Sequence, residues 1–407
     1  MTTTTARSGT DMQVIGLIGG AHFLSHFFIF AMAPLMPILH RELGVSFLAL
    51  GAVMTTFQVT SGLSQLPIGF VVDRLGARKI LIIGVLVESL AFLAIGLTGT
   101  YWALLVFFAV AGVANSVYHP ADYTILTRRI GGQRMGRAFS LHTFAGYSGG
   151  AAAPPFFGAV AGLWSWQTAF IATGIIGLGV GVLLILFGYM LEMAVAKPAG
   201  GQAAAPAKPE NLSAREGIRL LLSPPVMLCF VFFLMIAMSS SGLNSFAVAA
   251  LIEVHGTPFD QATMALTGFL IGGSLGILAG GFIADRTRHH ELVAMAGFGA
   301  TAIVVYSIGV VAMPSLLLIT VFTTGGLLYG MIMPSRDMMV RRVTPDGSMG
   351  KVFGFVSVGL NIGAAIMPIL MGWVMDNSDP IWIFHIAAGV MVLALLITLL
   401  GRLVQKA

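Results

Sequence analysis

Gly69-Phe70-Val71-Val72-Asp73-Arg74-Leu75-Gly76-Ala77-Arg78-Lys79 is a charged punctuation mark between two apolar stretches, near 47–72 and 79–99, each long enough to cross a bilayer. The same alternation runs outward along the whole 407-residue chain. Windows of roughly 20 or more apolar residues fall near 13–39, 47–72, 79–99, 101–127, 136–163, 166–191, 224–252, 259–284, 291–313, 315–343, 350–375 and 380–402. Hydrophobic residues make up 57% and charged residues 9%, which leaves no polar skin for a soluble globule. The pattern predicts an all-α membrane protein with twelve transmembrane helices and lipid as its main partner.

Charge placement orients these helices. With both termini in the cytoplasm, the inner loops and ends collect Arg7; Arg74, Arg78 and Lys79; Arg128, Arg129, Arg134 and Arg137; Lys197, Lys208, Arg215 and Arg219; Arg286 and Arg288; Arg341, Arg342 and Lys351; Arg402 and Lys406. Of the 21 Lys and Arg residues only Arg41 falls in an outer loop and Arg336 within a helix, so the positive-inside rule holds for twelve helices and fails for eleven or thirteen. The net charge of +5 is thus a topology signal and implies no nucleic-acid partner. A bacterial inner membrane is the expected location. The first apolar run is too long for a signal-peptide core and is expected to remain as the first helix. The single cysteine, Cys229, can form neither an internal disulfide nor a thiolate cluster and reads as a packing residue.

Residues 194–211 (AVAKPAGGQAAAPAKPEN) have the composition of a flexible linker, and Ser213-Ala214-Arg215-Glu216 has capping-box spacing before a short amphipathic helix. Three regions follow: an N-terminal six-helix bundle over 1–193, a cytoplasmic linker over 194–222 and a C-terminal six-helix bundle over 223–407. The halves match at a fixed offset: Met135-Gly136-Arg137-x-Phe139 with Met349-Gly350-Lys351-x-Phe353, Gly149, Pro154 and Gly158 with Gly363, Pro368 and Gly372, and Pro120 with Pro334. Gly69-x-x-x-Asp73-Arg74 likewise finds Gly281-x-x-x-Asp285-Arg286. Duplication of this kind puts a substrate site at the interface of the repeats.

In this setting Gly69 to Lys79 closely resembles the signature of the major facilitator superfamily of transporters. Topogenic charge alone would explain the arginines but not Gly69, Asp73 and Gly76 together. The resemblance implies two pseudo-symmetric six-helix bundles and a conformational latch at Gly69, Asp73, Arg74, Gly76, Asp285 and Arg286. Ala77 departs from the basic residue usual there, and Arg288 replaces the second glycine of the C-terminal copy. Gly112-Val113-Ala114-Asn115-Ser116-Val117-Tyr118-His119-Pro120 is similar to a stretch of fosmidomycin-resistance-type exporters. Gly146 to Gly158 partly resembles a Gly-Pro motif of antiporters, and close helix packing with a proline bend explains the same residues.

Ionisable residues at bilayer depth mark pathways or proton relays, because each costs on the order of 3 kcal/mol to insert. Here they are His22, His26, Glu88, His119, Asp122, His142, Arg336, Asp337 and His385. By the resemblance, the first, fourth, seventh and tenth helices line the cavity. At the repeat offset Asp122 coincides with Arg336, so the two opposite charges are candidates to meet. Arg336 is the candidate for an anionic group, with Asp122 or Asp337 restraining it when the site is empty; the competing reading is a closed pair of Asp337 with Arg341 or Arg342. Pro120 and Pro334 cannot donate to the carbonyls of Ser116 and Gly330, which predicts bends. Glu88 is a candidate proton carrier together with Asp122 and Asp337; a hydrogen bond from Gln58 or Gln65 is the alternative for Glu88. His22 and His26, one turn apart, titrate, bind a polar solute, join His119 and Asp122 on a metal, or serve as satisfied interhelical groups. Tyr118, Asn244 and Asn361 add hydrogen-bonding groups, as do Tyr123, Tyr147 and Tyr329.

The expected function is secondary active transport of a small organic solute, anionic in one version, coupled to protons and acting as a monomer. Drug or metabolite efflux and nutrient or vitamin uptake both fit, and transport of a metal ion fits less well. No cofactor, resident metal or enzymatic activity is expected, and no Walker-type phosphate loop is present. An intramembrane enzyme and a transport-inactive receptor are the rivals from other classes.

Overall fold

The computed structural model describes residues 2–130, 135–192, 214–345 and 348–404, and the regular elements among them are all helices. The linker 194–211, Ser213, Arg134 and Lys406 lie outside the described residues. The chain divides into two compact units, Met1–Lys197 and Pro198–Ala407.

The first unit contains α1 (Thr2–Ile29), α2 (Met32–Leu43), α3 (Phe47–Leu75), α4 (Ala77–Thr98), α5 (Tyr101–Asn115), α6 (Tyr118–Arg129), α7 (Met135–Leu163), α8 (Trp166–Phe187) and the single turn α9 (Tyr189–Glu192). The second contains the short α10 (Ala214–Leu221), then α11 (Pro224–His255), α12 (Phe259–Arg286), α13 (His290–Val310), α14 (Ser315–Val343), α15 (Met349–Asn377) and α16 (Trp382–Val404). Because α1 continues into α2 and α5 into α6, each unit has six membrane-length paths, as the charge pattern predicts. Among the described residues, 11 paths pass a test of length and apolarity. The twelfth, α7, has 29 residues but is diluted by Gly, Ser, Tyr and His142.

Besides the turn at Gly188 between α8 and α9, two paths are interrupted among the described residues, each beside a proline. Pro34, the third residue of α2, has no N–H for the carbonyl of Phe30, and the chain tightens there through Ala31 N–H donating to the Phe28 carbonyl at 3.2 Å. Pro120, the third residue of α6, leaves the carbonyl of Ser116 without its donor, and residues 116–117 fall out of helix. The sequence predicts a similar disturbance at Pro334, but α14 runs through it without interruption. Between α3 and α4 the chain turns at Gly76, whose φ of +94° favours glycine, so the motif's second glycine is a requirement of backbone geometry.

Helix packing rests on absent side chains. Gly268, Gly272, Gly276 and Gly280 recur every fourth residue along α12, and a Cβ on the last three would strike carbonyls of Thr323, Leu327 and Met331 in α14. From the other side, Gly326 and Gly330 lie on the carbonyls of Phe269 and Gly273. Such contact draws two backbones together where lipid supplies no hydrophobic drive between helices. Gly330→Leu is therefore expected to cost about 1–3 kcal/mol or more, because the obstructing atom is backbone. Melting in detergent should show the loss, while Gly389→Leu, where an added Cβ meets nothing within 4 Å, should melt as the parent does. In the first unit Gly146 and Gly149 of α7 sit against His22 and Phe23 of α1, and Phe28, Phe92, Phe108, Phe157 and Phe170 form an aromatic core behind them.

Candidate functional site

Four histidines and a carboxylate converge in the first unit from α1, α6 and α7. Asp122 is fully buried, and its Oδ2 lies 2.9 Å from His142 Nε2 and 3.6 Å from His22 Nδ1. The His22 and His142 rings stack with centroids 3.8 Å apart, and His26 meets His22 edge-on at 4.8 Å. His119 tilts against His22 at 5.3 Å and stacks on Tyr123 at 5.9 Å. His22 and His142 are buried, His26 is half-buried, and His119, Tyr123 and Tyr147 are exposed. The cluster thus has a buried floor and an accessible rim.

Local sequence explains this convergence. His22 and His26 share one face of α1 because four residues make about one turn. Gly146 gives them room: a Cβ there would come within 2.5 Å of His22 Cδ2 and 3.0 Å of His26 Cδ2. The break at 116–117 starts α6 anew, so Tyr118 and Asp122, one turn apart, turn inward together.

A second buried acid lies nearby. Glu88 on α4 is fully buried, and Asn115 Nδ2 donates to its Oε1 at 3.0 Å while reaching the Ser25 carbonyl at 3.5 Å. The buried Tyr118 hydroxyl neighbours Glu88, yet neither that hydroxyl nor Glu88 Oε2 has a hydrogen bond of good geometry. Asn115, rather than Gln58 or Gln65, is the partner of Glu88.

In the second unit Arg336 donates through Nε (2.9 Å) and Nη2 (2.8 Å) to Oδ1 of Asp337, and its guanidinium lies 4.6 Å above the Phe233 ring. Arg342 pairs instead with Glu291 at 2.8 Å, so the restraint on Arg336 comes from its immediate neighbour. Asp122 is engaged by His142 within its own unit. The Asn244 Oδ1 atom is buried without a partner, Asn361 is exposed, and the Tyr329 hydroxyl donates to the Ile236 carbonyl at 2.8 Å. Asp73, Arg74, Asp285 and Arg286 are exposed at helix ends, and a Cβ on Gly69 would meet nothing within 4 Å among the described residues. His385, in the second unit, stacks on Tyr306 at 4.9 Å.

Sequence reasoning gives His142 a weak claim and passes over Asn115. His142 precedes Gly146 by one turn on α7, so the glycine that admits α1 also marks the face on which His142 lies. At the repeat offset the second half has Val356 in that position, which makes the His142–Asp122 pair a property of the first unit alone.

The family model described as Major Facilitator Superfamily matches residues 18–257 and 230–406. The chain is 25% identical over 367 residues to the membrane sensor protein UhpC of Salmonella typhimurium, covering 85% of this chain and 82% of that one. It is 23% identical over 287 residues to the fosmidomycin resistance protein of Escherichia coli, covering 69% and 67%. The crystal structure of a bacterial homologue of the human lysosomal transporter Spinster superposes with a TM-score of 0.74 over 96% of this chain and 95% of that one, at 15% identity.

Proposed function

Because the chain belongs to the Major Facilitator Superfamily, we propose that it is a secondary active transporter carrying a small organic solute across a bacterial inner membrane by alternating access, with protons as the coupling ion. The observation that carries this reading is the His–Asp cluster with its exposed rim. A histidine and two tyrosines exposed along membrane-spanning helices belong against water rather than hydrocarbon, which is the setting of a solute path. Arg336, stacked on Phe233 and held by a displaceable Asp337, is the group assigned to an anionic moiety of the solute. Tyr118, His119, His22, His26, Asn244 and Asn361 supply the further polar contacts, and Glu88 carries the proton. Asp73 and Asp285 with Arg74 and Arg286 act as latches at helix ends, and the monomer is the transporting unit.

Efflux is supported by the likeness to the fosmidomycin resistance protein. A second reading, a sensor that binds its solute without moving it, is favoured by the likeness to UhpC over most of both chains. Counterflow in proteoliposomes, run with a panel of organic anions, sugar phosphates and drugs under an imposed pH gradient, separates the two. Solute-dependent counterflow is expected. Saturable binding without counterflow would mean a sensor, and neither binding nor counterflow across the panel would overturn the solute class.

A further inference from the structure

We propose that His22, Asp122 and His142 form a binding site for a divalent first-row transition-metal ion, of the zinc or cobalt class. One donor atom from each residue can be chosen so that all lie within 4.8 Å of one another, and all three residues are buried. Donors around an ion held at roughly 2.0–2.2 Å in a tetrahedron stand about 3.4 Å apart. The observed separations of 2.9 Å and 3.6 Å to Asp122 Oδ2 straddle that value, and the third pair lies inside the 4.8 Å limit.

A shared proton between Asp122 and His142 accounts for only part of the arrangement. It leaves His22 Nδ1 and Asp122 Oδ1 buried without hydrogen-bond partners. A buried polar atom without a partner is costly, and a lone pair facing a metal removes that cost. The cluster is also built for ligation. The donors come from three helices, the stacked His22 and His142 rings fix each other's tilt, and Gly146 keeps the space beside His22 open.

Donor chemistry chooses the ion. Two imidazoles and one carboxylate suit zinc, cobalt or nickel, whereas magnesium and calcium require mainly oxygen ligands. Three protein ligands leave at least one coordination position open, as in sites that exchange a ligand. His26 and the exposed His119 flank His22 and offer imidazoles along the approach from the rim. The inference does not depend on the transport reading, since metal binding is measured in the absence of any solute.

The test is titration of the full chain, purified in detergent and freed of any histidine tag, with Co²⁺ followed by visible absorption and with Zn²⁺ followed by calorimetry. One ion per chain is expected, with the intense visible band of four- or five-coordinate Co²⁺ and no competition from millimolar Mg²⁺. His22→Gln, Asp122→Asn and His142→Gln should each weaken binding at least about tenfold, and His289→Gln, at an exposed loop position, should not. Unchanged affinity in the three variants, or a weak octahedral Co²⁺ spectrum in the parent protein, would overturn the site. Should a variant fail to run as a monodisperse species, the parent spectrum and the Mg²⁺ competition decide alone.

Discussion

Glu88→Gln is expected to leave solute exchange within about threefold of the parent while abolishing accumulation driven by a pH gradient. Glu88 is fully buried on α4, and Asn115 Nδ2 is the donor that meets its Oε1. No cation pairs with Glu88 among the described residues, and the titratable group beside it is Tyr118. Holding a charge there is expensive, and under the proposed transport function this carboxyl is the group that accepts and releases the coupled proton. Glutamine keeps the shape and the oxygen that Asn115 meets, but it cannot exchange a proton with the path. Reconstituted protein assayed for counterflow and for gradient-driven uptake separates the two effects. Gradient-driven accumulation at the parent level in the variant would remove Glu88 from coupling and leave it a packing acid.

Arg336→Ala should reduce counterflow at least about 30-fold, which corresponds to about 2 kcal/mol of lost interaction with the solute. Two nitrogens of the guanidinium engage Asp337, its face lies on Phe233, and its side chain is 17% exposed against 47% for Asp337. Under the proposed function an incoming anion displaces the more exposed carboxylate while the cation keeps its aromatic support. Arg336→Lys should fall between alanine and the parent, since a point charge retains attraction but loses the planar fork and the stacking. Expression and monodispersity should be near those of the parent in both variants. Full counterflow by the alanine variant would take Arg336 out of the solute site.

The course of the fold is legible in the sequence because it depends on counting. Twelve apolar runs, the one-sided cations and the matched Met135 and Met349 segments give the number of spans and the duplication, and Pro120 marks a break that the structure contains; the structure adds the break at Pro34 and leaves α14 unbroken at Pro334. The site is legible only as a set of expensive residues. Which face of α7 meets α1 is decided by contact at Gly146 and Gly149, so His142 looks peripheral until those glycines are seen against His22 and Phe23. Likewise Asp337 is adjacent to Arg336 and one turn from Arg341, and spacing alone cannot choose between them. Side-chain geometry chooses Arg336, and Glu291 takes Arg342.

The interruption at residues 116–117 makes α6 a separate rod of 12 residues. Tyr118, at its head, stands next to Glu88, and Asp122, one turn below, stands between His22 and His142. Any twist of that rod alters both neighbourhoods at once. Both buried acids are therefore tied to one short helix, Asp122 as its own residue and Glu88 through its neighbour Tyr118.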